Sequence, residues 1–224
     1  SQLCELHKQG HEIILVSSGA ILAGVAKMGL DTRPQELRVK QSIAAIGQVY
    51  LMEAYEKAFA KCGVIPAQVL LTREDFSDRK RYLNIRNTLL TLLSLKTIPI
   101  INENDTVSTE EIQFGDNDSL SAILATKVGA DKLILLSDVP GVFETDEEGK
   151  LTTTVIREIP FVTDEMQNKG SKKGGSKMSV GGISAKFLAA RMATSAGVET
   201  WLAYGRDPEI LQRIFSGDNE AGTR

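Results

Sequence analysis

Two clusters of short polar side chains could together bind a small polar ligand. The first, NEND at residues 102–105, follows the apolar run IPII at 98–101, which has the length and β-branched character of a buried strand. It should lie at the carboxyl end of that strand, where open α/β sheets bind ligands. The second, DND at residues 116–118, precedes a run of good helix formers and should lie at a helix start.

The elements that would position these clusters alternate between strands and helices. Strands are predicted at residues 13–16, 64–71, 98–101, 132–136 and 199–204, with a short edge strand at 110–114 and a charged surface hairpin or loop at 144–154. Helices are predicted at residues 1–9, 21–27, 34–61, 79–95, 119–128, 183–196 and 207–215. This order is typical of the α/β class, and we predict one domain with a mainly parallel sheet between helices.

A glycine-rich segment near the carboxyl end has the chemistry of a phosphate site. Gly181 and Gly182 precede a predicted helix, so backbone N–H groups and the positive end of the helix dipole are accessible there. Lys186 is expected in the first turn, where a cation alone costs roughly 0.3–1 kcal/mol and a bound anion would reverse the sign. Purely structural roles stay open, since the glycines could serve only to turn the chain and Asp118 only to cap its helix.

Composition excludes several other classes of function. A net charge of -3 and a pI near 5.6 give no reason to expect nucleic acid or an anionic membrane as partner. No apolar run reaches the ~18 residues of a membrane span. The two cysteines, Cys4 and Cys62, lack a ligand cluster and indicate a reducing cytoplasm without a disulfide framework or zinc site. His7 and His11 lie away from every polar strand end, so no catalytic histidine is apparent.

Five motifs in order resemble the glutamate 5-kinase family of the amino-acid kinase superfamily. They are VSSGAILAG from residue 16, INEND from 101, FGDNDSLSA from 114, LLSDVPGVF from 135 and VGGISAK from 180. The resemblance implies a three-layer αβα sandwich with a mainly parallel central sheet. It also implies ATP and Mg²⁺ as cofactors, L-glutamate as substrate, a homodimer or homotetramer, and L-glutamyl 5-phosphate as the product in proline biosynthesis. Feedback inhibition by proline is left open.

The resemblance also assigns roles by position in this sequence. Ser18, Asp105, Asn117 and Asn102 would bind the amino acid. Asp118 would organise the phosphate-binding groups, and Lys186 would neutralise the transferring phosphoryl group. The nucleotide would contact Ser137, Asp138, Val180, Gly181, Gly182, Ile183, Ser184, Ala185 and Lys186. The γ-carboxylate of glutamate is already ionised at pH 7, so such a reaction needs no general base.

The usual domain organisation of the family differs from this sequence at both ends. An N-terminal strand with a V-K-x-G-like turn, whose lysine touches the phosphates, has no counterpart here, and we expect residues 1–224 to be an N-terminally incomplete kinase domain. We also expect no C-terminal PUA domain, which many bacterial relatives carry. Two alternatives remain: another amino-acid kinase acting on aspartate, acetylglutamate or carbamate, or a non-catalytic sensor of glutamate or proline.

Overall fold

A computed structural model describes residues 2–108, 117–146, 148, 150–164, 166 and 180–224. These residues form alternating helices and strands that separate into two compact units. The first unit is Leu3–Leu120, and the second is Ser121–Arg224 together with Gln2. The single kinase domain expected over residues 1–224 stays a prediction.

The described helices and strands agree with most of the predicted elements. The helices are α1 (Gln2–Lys8), α2 (Ala20–Met28), α3 (Leu37–Ala60), α4 (Arg73–Ser77), α5 (Arg79–Ser94), α6 (Asn117–Val128), α7 (Val180–Ser195) and α8 (Ile210–Phe215). The strands are β1 (Leu15–Val16), β2 (Pro66–Leu71), β3 (Ile98–Glu103), β4 (Lys132–Ser137), β5 (Val142–Thr145), β6 (Leu151–Ile156), β7 (Glu199–Tyr204) and β8 (Gly222–Thr223). The predicted edge strand at 110–114 lies outside the described residues.

The first unit contains a parallel sheet in the order β1-β3-β2. Its central strand, β3, is the apolar run seen in the sequence, and Ile98, Ile100 and Ile101 are fully buried. Ile98 and Ile100 belong to a core cluster that also includes Phe59 of α3. Burial of β-branched side chains on both faces is the usual state of a central parallel strand, and it fixes where the polar residues after Ile101 emerge.

Helices α2 and α3 pack with their backbones in direct contact. A Cβ atom built on Gly24 would lie 2.1 Å from the carbonyl oxygen of Ile43, and one on Gly47 would lie 1.8 Å from that of Ala20. Only hydrogen fits at either position. Gly47, in the middle of the long helix predicted at 34–61, is therefore a packing point between the two helices.

The second unit contains a sheet in the order β4-β7-β8, in which β4 and β7 are parallel and β8 is antiparallel to β7. Strands β5 and β6 form a separate antiparallel pair, so of the hairpin or loop expected at 144–154 the structure has the hairpin. The core of this unit contains leucines of β4 and β7, the valine just before β7, and alanines of α6 and α7. These residues are Leu133, Leu135, Leu202, Val198, Ala122, Ala125, Ala189 and Ala193.

The two cysteines correct an expectation from the sequence. Cys4 of α1 and Cys62, just after α3, form a disulfide, whereas their isolation in the sequence argued against one. The reason is tertiary: α1 packs beside the end of α3, and the two Cα atoms are 6.1 Å apart, a normal disulfide spacing. A separation of 58 residues gives no local sign of this contact.

Two helix starts also differ from the sequence-based boundaries. Helix α6 begins at Asn117 rather than at Ser119, which places Asp118 in the first turn instead of at the cap. Helix α7 begins at Val180 rather than at Ile183, so Lys186 lies in its second turn. Of the helices within the described ranges, none has both the length and the apolar content needed to cross a membrane.

Candidate active site

Three of the predicted site residues meet at the carboxyl edge of the first sheet. Asn117, the first residue of α6, donates from Nδ2 to Oγ of Ser18 at 2.6 Å and to Oδ1 of Asn102 at 3.1 Å. The same nitrogen is 2.7 Å from the backbone oxygen of Ser17. Parallel pairing explains the meeting, because Val16 of β1 is opposite Ile101 of β3 and both strands end at one edge.

The turn after β1 leads directly into helix α2. Gly19 has a φ of +112°, a value that L side chains rarely adopt, and α2 starts at the next residue. Ser17 is buried and its hydroxyl hydrogen-bonds the Tyr55 hydroxyl at 2.7 Å. Ser18 is exposed, so its hydroxyl can be shared between Asn117 and a ligand.

A buried glutamine, Gln48, which was not among the residues predicted from the sequence, extends this cluster. Asn102 is only 3% exposed, and its Nδ2 donates to Oε1 of Gln48 at 3.0 Å. Nε2 of Gln48 donates in turn to Oε1 of Gln68 at 3.0 Å, while the backbone N–H of Glu103 donates to Oδ1 of Asn102 at 2.8 Å. The available signal was a glutamine within the apolar stretch of α3, directly after Gly47.

Asp105 lies in the turn that follows β3, three residues after Asn102. The turn is tied to the end of β2, since the backbone N–H of Asn104 donates to the carbonyl of Leu71 at 2.8 Å. Burial, and secondarily the negative charge of Glu103, raises the pKa of Asp105, while Arg33 acts in the opposite direction. A partly buried carboxylate in this state would gain most from a cationic ligand group.

The second group of predicted residues lies in the second unit. Ser137 ends β4, and its backbone oxygen accepts from the N–H of Gly205, just after β7, at 2.8 Å. The Ser137 hydroxyl lies 3.3 Å from Oδ1 of the exposed Asp138. Because α7 packs against and precedes β7, which is parallel to β4, its first turn should lie toward this carboxyl edge.

Helix α7 carries the remaining predicted nucleotide contacts. Residues 180–186 form its first two turns, and the N–H groups of the first turn have no partners within the helix. Ile183, Ser184, Ala185 and Lys186 are partly buried, while the side-chain surroundings of residues 180–182 are outside the described part of the structure. The arrangement presents N–H groups and a lysine on one helix, which suits a phosphate.

The predicted residues therefore fall into two sets. Ser18, Asn102 and Asn117 are joined by hydrogen bonds, and Asp105 follows them in the next turn. The second unit holds the other set, on β4 and α7. Within the described residues there is no group of three histidine, cysteine or acidic side chains that could hold a metal ion.

Comparison with known proteins decides the family. The model of the amino acid kinase family matches residues 1–203. The chain belongs to the amino acid kinase family. Its solved structural relatives include the isopentenyl phosphate kinase product complex of T. acidophilum, with a TM-score of 0.62, 17% identity and coverage of 99% of this chain and 87% of the other. This likeness shows the family's fold, which is α/β with a mainly parallel sheet and helices on both sides, as predicted.

Curated relatives of this family member carry the name Glutamate 5-kinase. The proteins of Methylibium petroleiphilum and Azoarcus sp. are 46% and 47% identical, each over 97% of this chain and 58% of the relative. The protein of Clostridium acetobutylicum is 45% identical over 98% of this chain and 82% of the relative. The resemblance drawn from the five motifs is thus confirmed, while the chain spans less than two thirds of the first two relatives.

Proposed function

We propose that the protein containing this chain transfers the γ-phosphoryl group of ATP to the γ-carboxylate of L-glutamate, giving L-glutamyl 5-phosphate in the first step of proline biosynthesis. The observation that carries the proposal is the bonding of Asn117 to Ser18 and Asn102 at the carboxyl edge of the first sheet. These are three of the four residues that the motifs assign to the amino acid. The relatives named Glutamate 5-kinase support the choice of substrate.

The chemistry of the first group suits an amino acid with two carboxylates. Ser18 offers a hydroxyl and Asn117 an amide, which can form directed hydrogen bonds with the substrate's polar groups. Burial raises the pKa of Asp105, and pairing with an ammonium group would stabilise the ionised form of this carboxylate. No general base is required, because the nucleophile is a carboxylate that is ionised at neutral pH.

The second group suits the nucleotide. The first turn of α7 offers N–H groups to phosphate oxygens, and Lys186 on the same helix offers a positive charge. Ser137 and Asp138 would contact the nucleotide at the end of β4. Mg²⁺ would offset phosphate charge and would be held chiefly by ATP and water. Asp118 would keep the phosphate-binding groups in place.

A hydroxamate assay on the full-length protein tests this function, because hydroxylamine traps an acyl phosphate. With ATP and Mg²⁺, glutamate should be turned over, and aspartate, acetylglutamate and carbamate should not. Lys186→Ala should lower kcat by at least ~100-fold, the scale of losing one positioned charge-stabilising group. Lys80→Ala, an equal loss of charge at an exposed position on α5, is the control. Turnover of another acceptor alone, or near-normal kcat in Lys186→Ala, would contradict the proposal.

A non-catalytic sensor is the second candidate, and calorimetry separates it from the kinase. Amino-acid binding without ATP turnover by the full-length protein would favour the sensor. The same titrations, repeated with proline, test whether proline competes with glutamate.

We further propose a cytoplasmic location and a homodimer or homotetramer. ATP and glutamate are abundant in the cytoplasm, which supports the location, whereas the Cys4–Cys62 disulfide is unusual for that compartment. Cell fractionation and light scattering on the full-length protein test the two statements.

A further inference from the structure

Four side-chain amides form a continuous chain from the predicted amino-acid site, through Gln48 of α3, to the exposed Gln68 of β2. Asn117 donates to Asn102 at 3.1 Å, Asn102 to Gln48 at 3.0 Å, and Gln48 to Gln68 at 3.0 Å. We call these four residues the amide relay. Gln48 is 9% exposed and Asn102 is 3% exposed, so water cannot easily replace either partner of their shared bond.

Backbone groups at two points fix the direction of every bond in the amide relay. The N–H of Glu103 lies 2.8 Å from Asn102 and can only donate, so the facing atom of Asn102 must be Oδ1. Nδ2 of Asn102 is then left facing Gln48, which must present Oε1 to accept it. The carbonyl of Ser17 can only accept, so the atom of Asn117 that lies 2.7 Å from it must be Nδ2.

The fixed direction determines which atom of Asn117 remains for a ligand. Nδ2 has two hydrogens and already lies within bonding distance of three oxygens, on Ser17, Ser18 and Asn102. Oδ1 of Asn117 receives no hydrogen bond in the described part of the chain. Asn117 can therefore still accept a hydrogen bond from a ligand, through Oδ1.

We propose that Gln48 is a positioning residue for the amino-acid substrate: through Asn102 it holds the Asn117 amide so that Oδ1 accepts a hydrogen bond from the substrate's ammonium group. This inference rests on the proposed function for the identity of the ligand. Gln48 itself does not touch the substrate. An acceptor at this helix position is required, because a leucine would leave Nδ2 of Asn102 buried without a partner.

Two measurements on the full-length protein test the role of Gln48 with ligand. Gln48→Leu should weaken glutamate binding about tenfold, the affinity equivalent of one hydrogen bond, with a smaller change in kcat. Binding of glutarate, which lacks the amino group, should change less than twofold. Gln48→Glu keeps an acceptor toward Asn102 and should recover part of the affinity. Gln9→Leu, the same replacement at an exposed position, is the control.

A double-mutant cycle separates positioning from general damage to the fold. In an Asn117→Ala background, Gln48→Leu should no longer change glutamate affinity, because its effect passes through Asn117. An equal loss for glutamate and glutarate, or a full effect of Gln48→Leu in that background, would overturn the proposal.

A third measurement is independent of the proposed function. In ligand-free protein, Gln48→Leu should shift the side-chain NH₂ resonances of both Asn102 and Asn117 in a ¹H–¹⁵N spectrum, whereas Gln9→Leu should shift neither. Unchanged Asn117 resonances would refute the amide relay even if glutamate were not the substrate. If Gln48→Leu produces these shifts but the wild-type protein binds no glutamate, the proposed function fails and the amide relay stands.

Discussion

Replacing Gly47 by alanine should destabilise the first unit, although alanine is the better helix former. The added Cβ atom would lie 1.8 Å from the Ala20 carbonyl oxygen and 2.3 Å from the Gly24 nitrogen. Both neighbours are backbone atoms, so no side-chain rotation can relieve the contact. Reaching a separation of 3.0 Å from the Ala20 oxygen requires α2 and α3 to move apart by about 1.2 Å at this point.

The size of the effect follows from two opposing terms. Overpacking of this kind costs about 1–3 kcal/mol and sometimes more, and the backbone contact places Gly47→Ala at the upper end. The gain in helix propensity offsets roughly 1 kcal/mol. We therefore expect a net loss of about 2 kcal/mol in the free energy of unfolding, or roughly 4–8 °C in Tm for a chain of this size.

Thermal unfolding followed by far-ultraviolet circular dichroism measures this change. Val49→Ala is the control, because Val49 lies on the same helix but is 65% exposed and should change stability by less than about 0.5 kcal/mol. Fluorescence of Trp201, the only tryptophan, reports on the second unit in the same samples. Gly47→Ala protein as stable as wild type would refute the close approach of α2 and α3.

Three further changes test the site and the disulfide. Asn117→Ala should raise the KM for glutamate, measured by the hydroxamate assay, more than it lowers kcat. The raised pKa of Asp105 means that its ionised form destabilises the folded chain, so Asp105→Asn should raise Tm at pH 7, and the gain should vanish as pH falls through the raised value toward 3.8. An unchanged Tm at pH 7 would contradict this. Reducing Cys4–Cys62, which closes 58 residues, should lower the free energy of unfolding by up to about 4 kcal/mol in urea titrations, with a Cys4→Ala/Cys62→Ala variant insensitive to reductant.

The strands were predictable because a strand that is buried on both faces appears in the sequence as an uninterrupted run of apolar residues. Residues 98–101 are apolar without interruption, and the structure places them at the centre of the first sheet. Helix starts were less predictable. The first residues of α6 and α7, Asn117 and Val180, are poor helix formers that give no local signal of a helix start.

Long-range contacts explain the two features that the sequence did not reveal. Cys4 and Cys62 meet because α1 packs beside the end of α3, which no spacing rule anticipates. Gln48 is polar and, within a helix, looks like a solvent-facing residue. Its burial depends on Asn102, which is 54 residues away in the sequence.

Gly47 and Gln48 combine packing and polarity at adjacent positions of α3. Gly47 lets the backbone of α3 approach that of α2, directly after the turn that carries Ser18. The next side chain, Gln48, is thereby held at hydrogen-bonding distance from Asn102. Because one helix sets both contacts, the separation of α2 and α3 also sets the reach of the amide relay. The carboxyl edge of the first sheet positions the backbone of the site, and Gly47 and Gln48 of α3 orient its amide side chains.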